Sequence, residues 1–402
     1  MTAREWFTSS WAASVGLGLA AGCAPDARRR LDFVAAPASP IELGTTAGRP
    51  VVADFDSDGA LDVALACGRL PGSEPSGERT QVAVLLGDGH GALRFASSVE
   101  VNRGAGDVAA GDIDGDRVLD LAVAQHDRYE IELFLGDGHG AFRRSVEVPR
   151  CGSGPKAHVH ELALADVDSD GDLDLLTCNS GDAAIGVLFN DGAGRFAARD
   201  AAGVAAGLHP YDSLAVARVD GDPIPDLVVP DLHGAGILVL LGDGRGGFAP
   251  SASSPLVVGP RPGYAGTGDV DGDGDTDIVT THDDDPLVCV LLGDGSGAFA
   301  PARGSPIRLE HIVWGSALGD LDRDGDLDVC LGSFAASAVR IFLGSRDGQL
   351  REASCSPLRA GGHCGYVALG DLDRDGRLDL ITTDDTSGRV FVFLQRSTAT
   401  GE

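Results

Sequence analysis

The sequence predicts an all-β protein, and three observations lead to this fold class. Gly is very common, with 58 among 402 residues, whereas Met occurs once. Short apolar runs bounded by Gly and Asp recur along the chain, and an acidic string returns between them at nearly constant spacing. Tight turns between short β-strands have this composition. The 43% of hydrophobic residues provide for a sizeable core despite a formal net charge of −30.

The acidic string occurs seven times. It occupies residues 54–62, 112–120, 166–174, 218–226, 269–277, 320–328 and 371–379, so the last four strings begin 51 residues apart. Each string lies between two apolar runs, and a third run ends in a Gly-rich turn, as in "VAVLLGDGHGAL". A weaker fourth run follows that turn. Four strands in about 50 residues predict one blade of a β-propeller. A solenoid is the competing architecture, but it needs capping ends and usually has shorter units.

The two ends of the repeat region favour a closed ring over a solenoid. The segment "LDFVAAPASPIELG" resembles a fourth strand with no unit before it, and "VFVFLQRST" is a third strand with nothing after it. Together they make one complete blade, which removes the open sheet edge. We therefore predict one domain, residues 31–402: a seven-bladed β-propeller of four-stranded antiparallel blades, closed by the N-terminal strand.

The units resemble FG-GAP or VCBS repeats, the kind found in the head of the integrin alpha chain. The Asp ladder, the "LD" that follows it and the "LLGDGxGxF" turn carry the resemblance. It extends over essentially the whole chain after the N-terminal segment. It implies a β-propeller with calcium held in the loop between the first and second strands of each blade.

The spacing D-x-D-x-D-G-x-x-D has its own chemical interpretation. Asp at positions 1, 3 and 5 turn inward together, Gly at position 6 permits the sharp turn, and Asp at position 9 closes the ligand shell. Oxygen ligands suit a hard cation such as calcium. Without a cation, four carboxylates in one small loop repel each other. Asp-Gly strings that serve only as turn formers are the alternative.

Five loops have the complete ligand set, so we expect about five structural Ca²⁺ ions. The predicted ligands are Asp54, Asp56, Asp58, Asp62, Asp166, Asp168, Asp170, Asp174, Asp269, Asp271, Asp273, Asp277, Asp320, Asp322, Asp324, Asp328, Asp371, Asp373, Asp375 and Asp379. In the second loop Arg117 replaces Gly, so we expect weak or absent binding by Asp112, Asp114, Asp116 and Asp120. The fourth loop has Arg218 at position 1 and Pro223 at position 6, and we predict no calcium there.

The strand order places most His and Tyr residues on the face opposite the acidic loops. Eight His map to it, including His126, His158 and His282. The hypothesised ligand face consists of His160, His209, Tyr211, Tyr264, His311, Trp314, His363 and Tyr366. Flat rings and imidazoles suit sugar faces or a partner protein. The alternative is that these side chains only fill the entrances between blades. A metal cluster formed by these His has no supporting spacing.

The function predicted from these features is a binding, adhesion or scaffold module for a glycan or a protein. A polysaccharide lyase or hydrolase is the alternative, and a purely structural envelope protein is a third reading. The sequence has no P-loop, nucleophile elbow or HExxH motif. Strong acidity argues against a nucleic-acid partner, because phosphates attract Lys and Arg. We expect a monomer.

The N-terminal segment predicts export. Residues 1–22 have the features of a signal peptide, and "LAAGC" resembles a bacterial lipobox, which implies lipidation of Cys23. Residues 23–30 form a short linker, so we expect a protein anchored by lipid to the cell envelope, or secreted. An uncleaved anchor is a further alternative. Of the other seven Cys, Cys355 and Cys364 flank one loop and could form a bridge, whereas Cys67, Cys178, Cys289 and Cys330 lie in apolar runs.

Overall fold

A computed structural model of the chain describes residues 31–68, 80–102, 104–152, 158–198, 203–204, 210, 213–234 and 236–396. Throughout these residues the regular elements are β-strands, and no helix among them is suited to cross a membrane. The predicted signal peptide, the linker with Cys23, and the ligand-face residues His209 and Tyr211 lie outside the described residues.

The strands form repeated antiparallel units, which we number by their acidic loops. Two short strands precede unit 1: β1 (Phe33–Ala35) and β2 (Ile41–Glu42). Unit 1 contains β3 (Ala47–Ala53), β4 (Asp62–Cys67), β5 (Thr80–Gly87) and β6 (Leu93–Val101). Unit 2 contains β7 (Ala105–Gly111), β8 (Asp120–Gln125), β9 (Ile131–Gly136) and β10 (Phe142–Arg144). Unit 3 contains β11 (Val159–Ala165), β12 (Asp174–Asn179), β13 (Ala184–Leu188) and β14 (Gly203–Val204).

Units 4 to 6 have a short fifth strand, and unit 7 has three strands of its own. Unit 4 contains β15 (Ala215–Ala217), β16 (Asp226–Pro230), β17 (Gly236–Gly242), β18 (Phe248–Pro250) and β19 (Leu256–Val257). Unit 5 contains β20 (Pro262–Gly268), β21 (Asp277–His282), β22 (Leu287–Gly293), β23 (Phe299–Pro301) and β24 (Ile307–Arg308). Unit 6 contains β25 (Ser316–Gly319), β26 (Asp328–Ser333), β27 (Ala338–Leu343), β28 (Arg351–Glu352) and β29 (Leu358–Arg359). Unit 7 contains β30 (Cys364–Gly370), β31 (Asp379–Asp384) and β32 (Arg389–Gln395).

The N-terminal strands pair with the last strand of the chain. β1 lies antiparallel to β32, with Phe33 opposite Gln395, and β2 pairs further along the same strand. The Ser39 hydroxyl accepts the Val392 N–H at 3.0 Å. Ser254, Ser305 and Ser356 accept the corresponding N–H groups in units 4, 5 and 6. Residues before unit 1 therefore occupy the place in unit 7 that a following segment occupies in units 4 to 6.

The core lies between neighbouring units. The second strands, such as β4 and β8, are buried along their whole length, because each sheet is covered on both faces. Val51 and Val84 of unit 1 pack with Phe134 of unit 2, and Val63 of unit 1 packs with Ile381 of unit 7. The first strand of each unit contacts the first strand of the next, and β30 contacts β3. Repeated four-stranded sheets packed in this way are consistent with a β-propeller.

The seven cysteines of the described residues are thiols. None of them forms a disulfide, so the bridge considered between Cys355 and Cys364 is not formed. Cys364 begins the first strand of unit 7, and its buried Sγ donates to the Gly361 carbonyl at 3.4 Å. Cys67, Cys178, Cys289 and Cys330 are buried, as their apolar surroundings predict.

Candidate metal centres and ligand face

Six of the seven acidic loops have two residues in the left-handed region, and loop 4 has one. We number each loop from 1 to 9, beginning at its first Asp or, in loop 4, at Arg218. Position 4 has a positive φ in all seven loops: Ser57, Gly115, Ser169, Gly221, Gly272, Arg323 and Arg374. Position 6 also has a positive φ in six of the seven loops: Gly59, Arg117, Gly171, Gly274, Gly325 and Gly376. These residues coil the chain tightly enough for the alternate Asp side chains to approach one another.

The Asp at position 1 is held by backbone N–H groups of its own loop. In loop 1 the Asp54 carboxylate accepts the N–H groups of Asp58 and Gly59, at 3.2 and 2.9 Å. The first Asp of loops 3, 5, 6 and 7 makes the same two contacts. The Asp at position 5 accepts the N–H of position 7, as Asp58 does from Ala60 at 2.6 Å. These bonds fix the carboxylates before any ion binds.

The Asp at position 9 connects the loop to the end of the third strand. The two oxygens of Asp62 accept the N–H of Phe55 at 2.7 Å and the N–H of Gly87 at 2.8 Å. Every loop repeats this pair of bonds, including loop 4, where Asp226 accepts from Val219 and Gly242 at 2.8 and 2.9 Å. The ninth Asp therefore has a structural role that does not depend on a bound ion.

Burial raises the pKa of these ninth Asp residues. It raises the pKa of Asp62 to about 6 and of Asp174 to about 7, and it has its largest effect on Asp328, whose pKa is about 8. Backbone hydrogen bonds oppose this rise, and the charges of other Asp residues in the loop add to it. Carboxylates that are desolvated and crowded in this way favour a proton or a cation as a partner.

The residues of the acidic loops fit a hard cation. Carboxylate oxygens of Asp269, Asp271 and Asp273 lie within 4.8 Å of one another, and comparable groups form in loops 1, 2 and 3. Two oxygens bound to one calcium ion lie at most about 5 Å apart, because Ca–O distances are roughly 2.4 Å. In Asp271 and Asp373, Oδ1 is buried and no donor among the described residues reaches it. Burial, and then the charges of Asp273 and Asp269, raise the pKa of Asp271.

The two loops that depart from the pattern differ in structure. In loop 2 Arg117 adopts φ +72°, so the turn persists without Gly. Carboxylate oxygens of Asp112, Asp114 and Asp120 lie close enough together to bind one metal ion. Weak binding there stays a prediction, but loss of the turn is not its cause. In loop 4 Arg218 is exposed, and no Asp stands at position 1 to accept the N–H groups of positions 5 and 6.

An aromatic cluster lies at the junction of units 6 and 7. Phe334 stacks on His363 with ring centroids 4.2 Å apart and an interplanar angle of 13°. The Phe334 ring also lies 5.5 Å from Trp314 and 6.3 Å from Tyr366. A Cβ on Gly365 would meet the Phe334 ring at 1.8 Å, so only Gly permits this packing. Phe334, His363, Trp314 and Tyr366 are all partly exposed, and together we name them the aromatic face.

The structure places the described residues of the predicted ligand face in different surroundings. Tyr264 is 4% exposed and lies beneath Trp314, 6.0 Å between ring centroids, so it is a support and cannot be a contact residue. His311 is exposed beside Glu310. His160 lies at the junction of units 2 and 3 with two other His. His282, also mapped to this face, is fully buried between Pro260 and Cys289.

Sequence reasoning missed Phe334 and a buried charge cluster on the first strands. Arg49 of β3 pairs with Glu161 of β11 at 2.5 Å and with Asp107 of β7 at 3.7 Å. Its guanidinium also lies 4.9 Å from the ring centroid of Tyr264 in β20. Burial alone would lower the pKa of Arg49, but the charges of Glu161, Tyr264 and Asp107 raise it well above its usual value. The signal for this cluster was three charged residues in otherwise apolar first strands.

Comparison with known sequences decides the family. The profile of the FG-GAP-like repeat matches residues 54–123, 112–177, 166–229, 219–280, 269–331 and 320–382. The chain belongs to the FG-GAP-like repeat family. The comparison of this FG-GAP repeat protein with curated proteins found no match.

Solved structures similar to this FG-GAP repeat protein support the β-propeller fold. BBS1N, solved in complex with ARL6DN, is 11% identical with a TM-score of 0.60, and the match covers 93% of this chain and 100% of that one. An inactive virginiamycin B lyase from Staphylococcus aureus, solved with quinupristin, is 10% identical with a TM-score of 0.54, covering 90% and 98%. A protein from Lactobacillus plantarum is 14% identical with a TM-score of 0.54, covering 74% and 83%. At these identities the likeness concerns the fold alone.

Proposed function

We propose that this FG-GAP repeat protein is a calcium-stabilised binding module built as a closed ring of seven blades. The pairing of β1 with β32 supports closure. So do two contacts from the last acidic loop, one to the first acidic loop and one to the Gly-rich turn of unit 1. The Arg374 guanidinium donates to the Asp58 carbonyl at 3.0 Å, and the Gly91 N–H of unit 1 donates to the Leu372 carbonyl at 3.1 Å. Both bring unit 7 beside unit 1.

The proposed ions are calcium, held in loops 1, 3, 5, 6 and 7. The Asp at positions 1, 3 and 5, with the ninth Asp behind them, would hold the ion in each loop. The donor set supports calcium because it consists of oxygen atoms alone, on a loop whose backbone is already coiled around them. The ion would supply positive charge that offsets the repulsion within the loop. Its proposed role is structural.

The aromatic face is the proposed ligand-binding surface, and its partly exposed rings are the observation that carries this proposal. Trp314, Phe334 and Tyr366 offer flat apolar surfaces that suit the faces of sugar rings, while His363 offers a polar edge. The indole Nε1 of Trp314 is buried and has no acceptor among the described residues. Buried indole N–H groups usually find a partner, which favours a ligand rich in oxygen. A glycan is therefore the ligand class that we propose.

Binding to a glycan array, followed by calorimetry on the best ligand, tests this proposal. We expect Trp314→Ala and Phe334→Ala each to weaken binding at least tenfold, which is about 1.4 kcal/mol. Phe95→Ala is the matched control, because Phe95 is 48% exposed on the outer strand β6. The control should bind normally.

Two results would contradict it. Equal affinity in the Trp314 and Phe334 variants would remove the aromatic face from the binding site. If no glycan binds while a protein partner does, with the same dependence on Trp314, the surface would stand and the ligand class would be wrong.

Two other functions and the location remain proposals with separate tests. Release of sugar products from polysaccharides would identify a lyase or hydrolase. If no ligand binds and removal of the protein weakens the cell envelope, the protein would be a structural envelope protein. We further propose a lipid anchor at Cys23 in the cell envelope, which mass spectrometry of the processed N-terminus would detect.

A further inference from the structure

We propose that His126, His158 and His160 form a binding site for a divalent transition-metal ion, with zinc as the reference case. One ring nitrogen from each residue lies within 4.8 Å of those of the other two. The three ring centroids are 4.2, 4.4 and 4.8 Å apart, and the interplanar angles are 78° to 86°. Three imidazoles thus meet around one centre, each steeply inclined to the others.

The fold brings these residues together from two units. His126 directly follows β8 of unit 2, whereas His158 precedes β11 of unit 3 and His160 lies within it. His158 and His160 are two residues apart, so their side chains share one side of the strand. Val159 between them is fully buried, and its N–H donates to the His126 carbonyl at 3.1 Å. This backbone bond holds His126 against the pair.

The nitrogen positions suit a tetrahedral ion. His160 Nε2 lies 3.2 Å from His158 Nδ1. Two nitrogens bound to one tetrahedral zinc ion at roughly 2.05 Å are about 3.3 Å apart, so this pair already has the required separation. A small inward movement of the His126 ring would complete a site with three ligands.

One contact outside the three rings resembles the support of a metal-bound histidine. His126 Nδ1 lies 2.9 Å from Asp127 Oδ1, and a carboxylate in this place orients the imidazole. Ser180 Oγ lies 2.7 Å from His158 Nδ1, so His158 would exchange this hydrogen bond for the ion when its Nδ1 binds.

The donor set distinguishes this site from the acidic loops. Imidazole nitrogens prefer zinc, copper or nickel, whereas the carboxylates of the loops prefer calcium. All three His are partly exposed, so an ion can enter from solvent. Three protein ligands leave a fourth position for water or for a ligand from outside. The ion would also tie unit 2 to unit 3.

Cobalt(II) spectroscopy on the purified full chain tests the proposal. The protein is stripped with EDTA, its acidic loops are filled with calcium at about 1 mM, and Co²⁺ is added at about pH 7.5. We expect one Co²⁺ per chain with the visible absorption of a tetrahedral site and no sulfur charge-transfer band. Zn²⁺ should displace it and raise the melting temperature.

Three variants and one control identify the ligands. His158→Gln and His160→Gln should each weaken Zn²⁺ binding at least tenfold, and Asp127→Asn should weaken it by about tenfold. His363→Gln is the matched control, because His363 is also partly exposed and paired through Nδ1 with Asp385 at 2.6 Å. The control should bind Zn²⁺ normally.

The proposal is wrong if the wild-type chain binds no Co²⁺ or Zn²⁺ with a Kd below about 100 μM, if the His158 and His160 variants retain full affinity, or if a sulfur band shows Cys ligation. Circular dichroism checks that each variant folds. Should one not fold, nitrogen hyperfine splitting in the Cu²⁺ electron paramagnetic resonance spectrum of the wild-type chain decides. Coupling to three imidazoles supports the site, and its absence overturns it.

Discussion

Arg117 shows at the scale of one residue how an acidic loop tolerates a substitution. It stands where five of the other loops have Gly, and it adopts the left-handed φ of +72°. For a residue with a Cβ this conformation costs roughly 1–2 kcal/mol. The fold accepts that cost because the N–H of Arg117 donates to Asp112 at 2.9 Å.

We therefore predict that Arg117→Gly is more stable than Arg117→Ala by about 1 kcal/mol. Both variants lose the same charge, and only Gly relieves the left-handed strain, so the Ala variant is the matched control. Urea denaturation at saturating calcium measures the difference. Equal midpoints would show that position 6 of this loop is not strained.

The ninth Asp acts at the scale of the element, because it joins the first two strands of a unit to the third. Residue 2 of each loop participates in the same connection: it donates to the ninth Asp, and its carbonyl often accepts from the next unit. Gly140 donates to Phe55 and Gly246 to Val167, at 3.2 and 2.9 Å. In unit 3, Asn190 follows the third strand, and its side-chain amide donates to the Ile113 carbonyl at 2.8 Å instead.

We predict that Asp226→Asn destabilises the protein by about 1–3 kcal/mol, equally in calcium and in EDTA. The amide keeps one acceptor, so one of the two buried backbone N–H groups loses its partner. Asp277→Asn in loop 5 is the comparison. This variant should lose more stability in calcium than in EDTA, because its loop also loses a calcium ligand. Thermal melts in both buffers measure this. If Asp226→Asn leaves the melting temperature unchanged, the ninth Asp does not connect the strands.

At the scale of the whole molecule, the net charge of −30 and the proposed calcium sites belong together. Like charges that are not neutralised destabilise a compact state. A calcium site with a Kd of about 10⁻⁴ M contributes about 1.4 kcal/mol at roughly millimolar calcium. Five such sites contribute about 7 kcal/mol, a large part of a typical stability of roughly 5–15 kcal/mol.

Removal of calcium should therefore lower the melting temperature by roughly 5–10 °C. Differential scanning calorimetry in EDTA and then in excess calcium measures the shift and its reversal. Magnesium at the same ionic strength is the control for simple screening of charge. We expect magnesium to restore less of the melting temperature than calcium does, because it fits flexible oxygen sites poorly. A melting temperature that does not respond to EDTA would sink the calcium proposal.

The repeat made much of the fold predictable. The regular spacing placed the acidic loops between first and second strands, and the incomplete terminal units predicted that β1 pairs with β32. Each of these features depends on residues close in sequence or on a pattern that returns unchanged. The family follows from the same motif, because the Asp ladder and the Gly-rich turn carry it.

By itself, then, the sequence determined the all-β class, the units, the acidic loops and the family. Tertiary structure alone decided that Tyr264 is buried, that Phe334 joins the aromatic face, and that His126 meets His158 and His160. The physical reason is distance along the chain. These residues meet across junctions between units, and which side chains converge there depends on the packing of one sheet against the next, which no local spacing records.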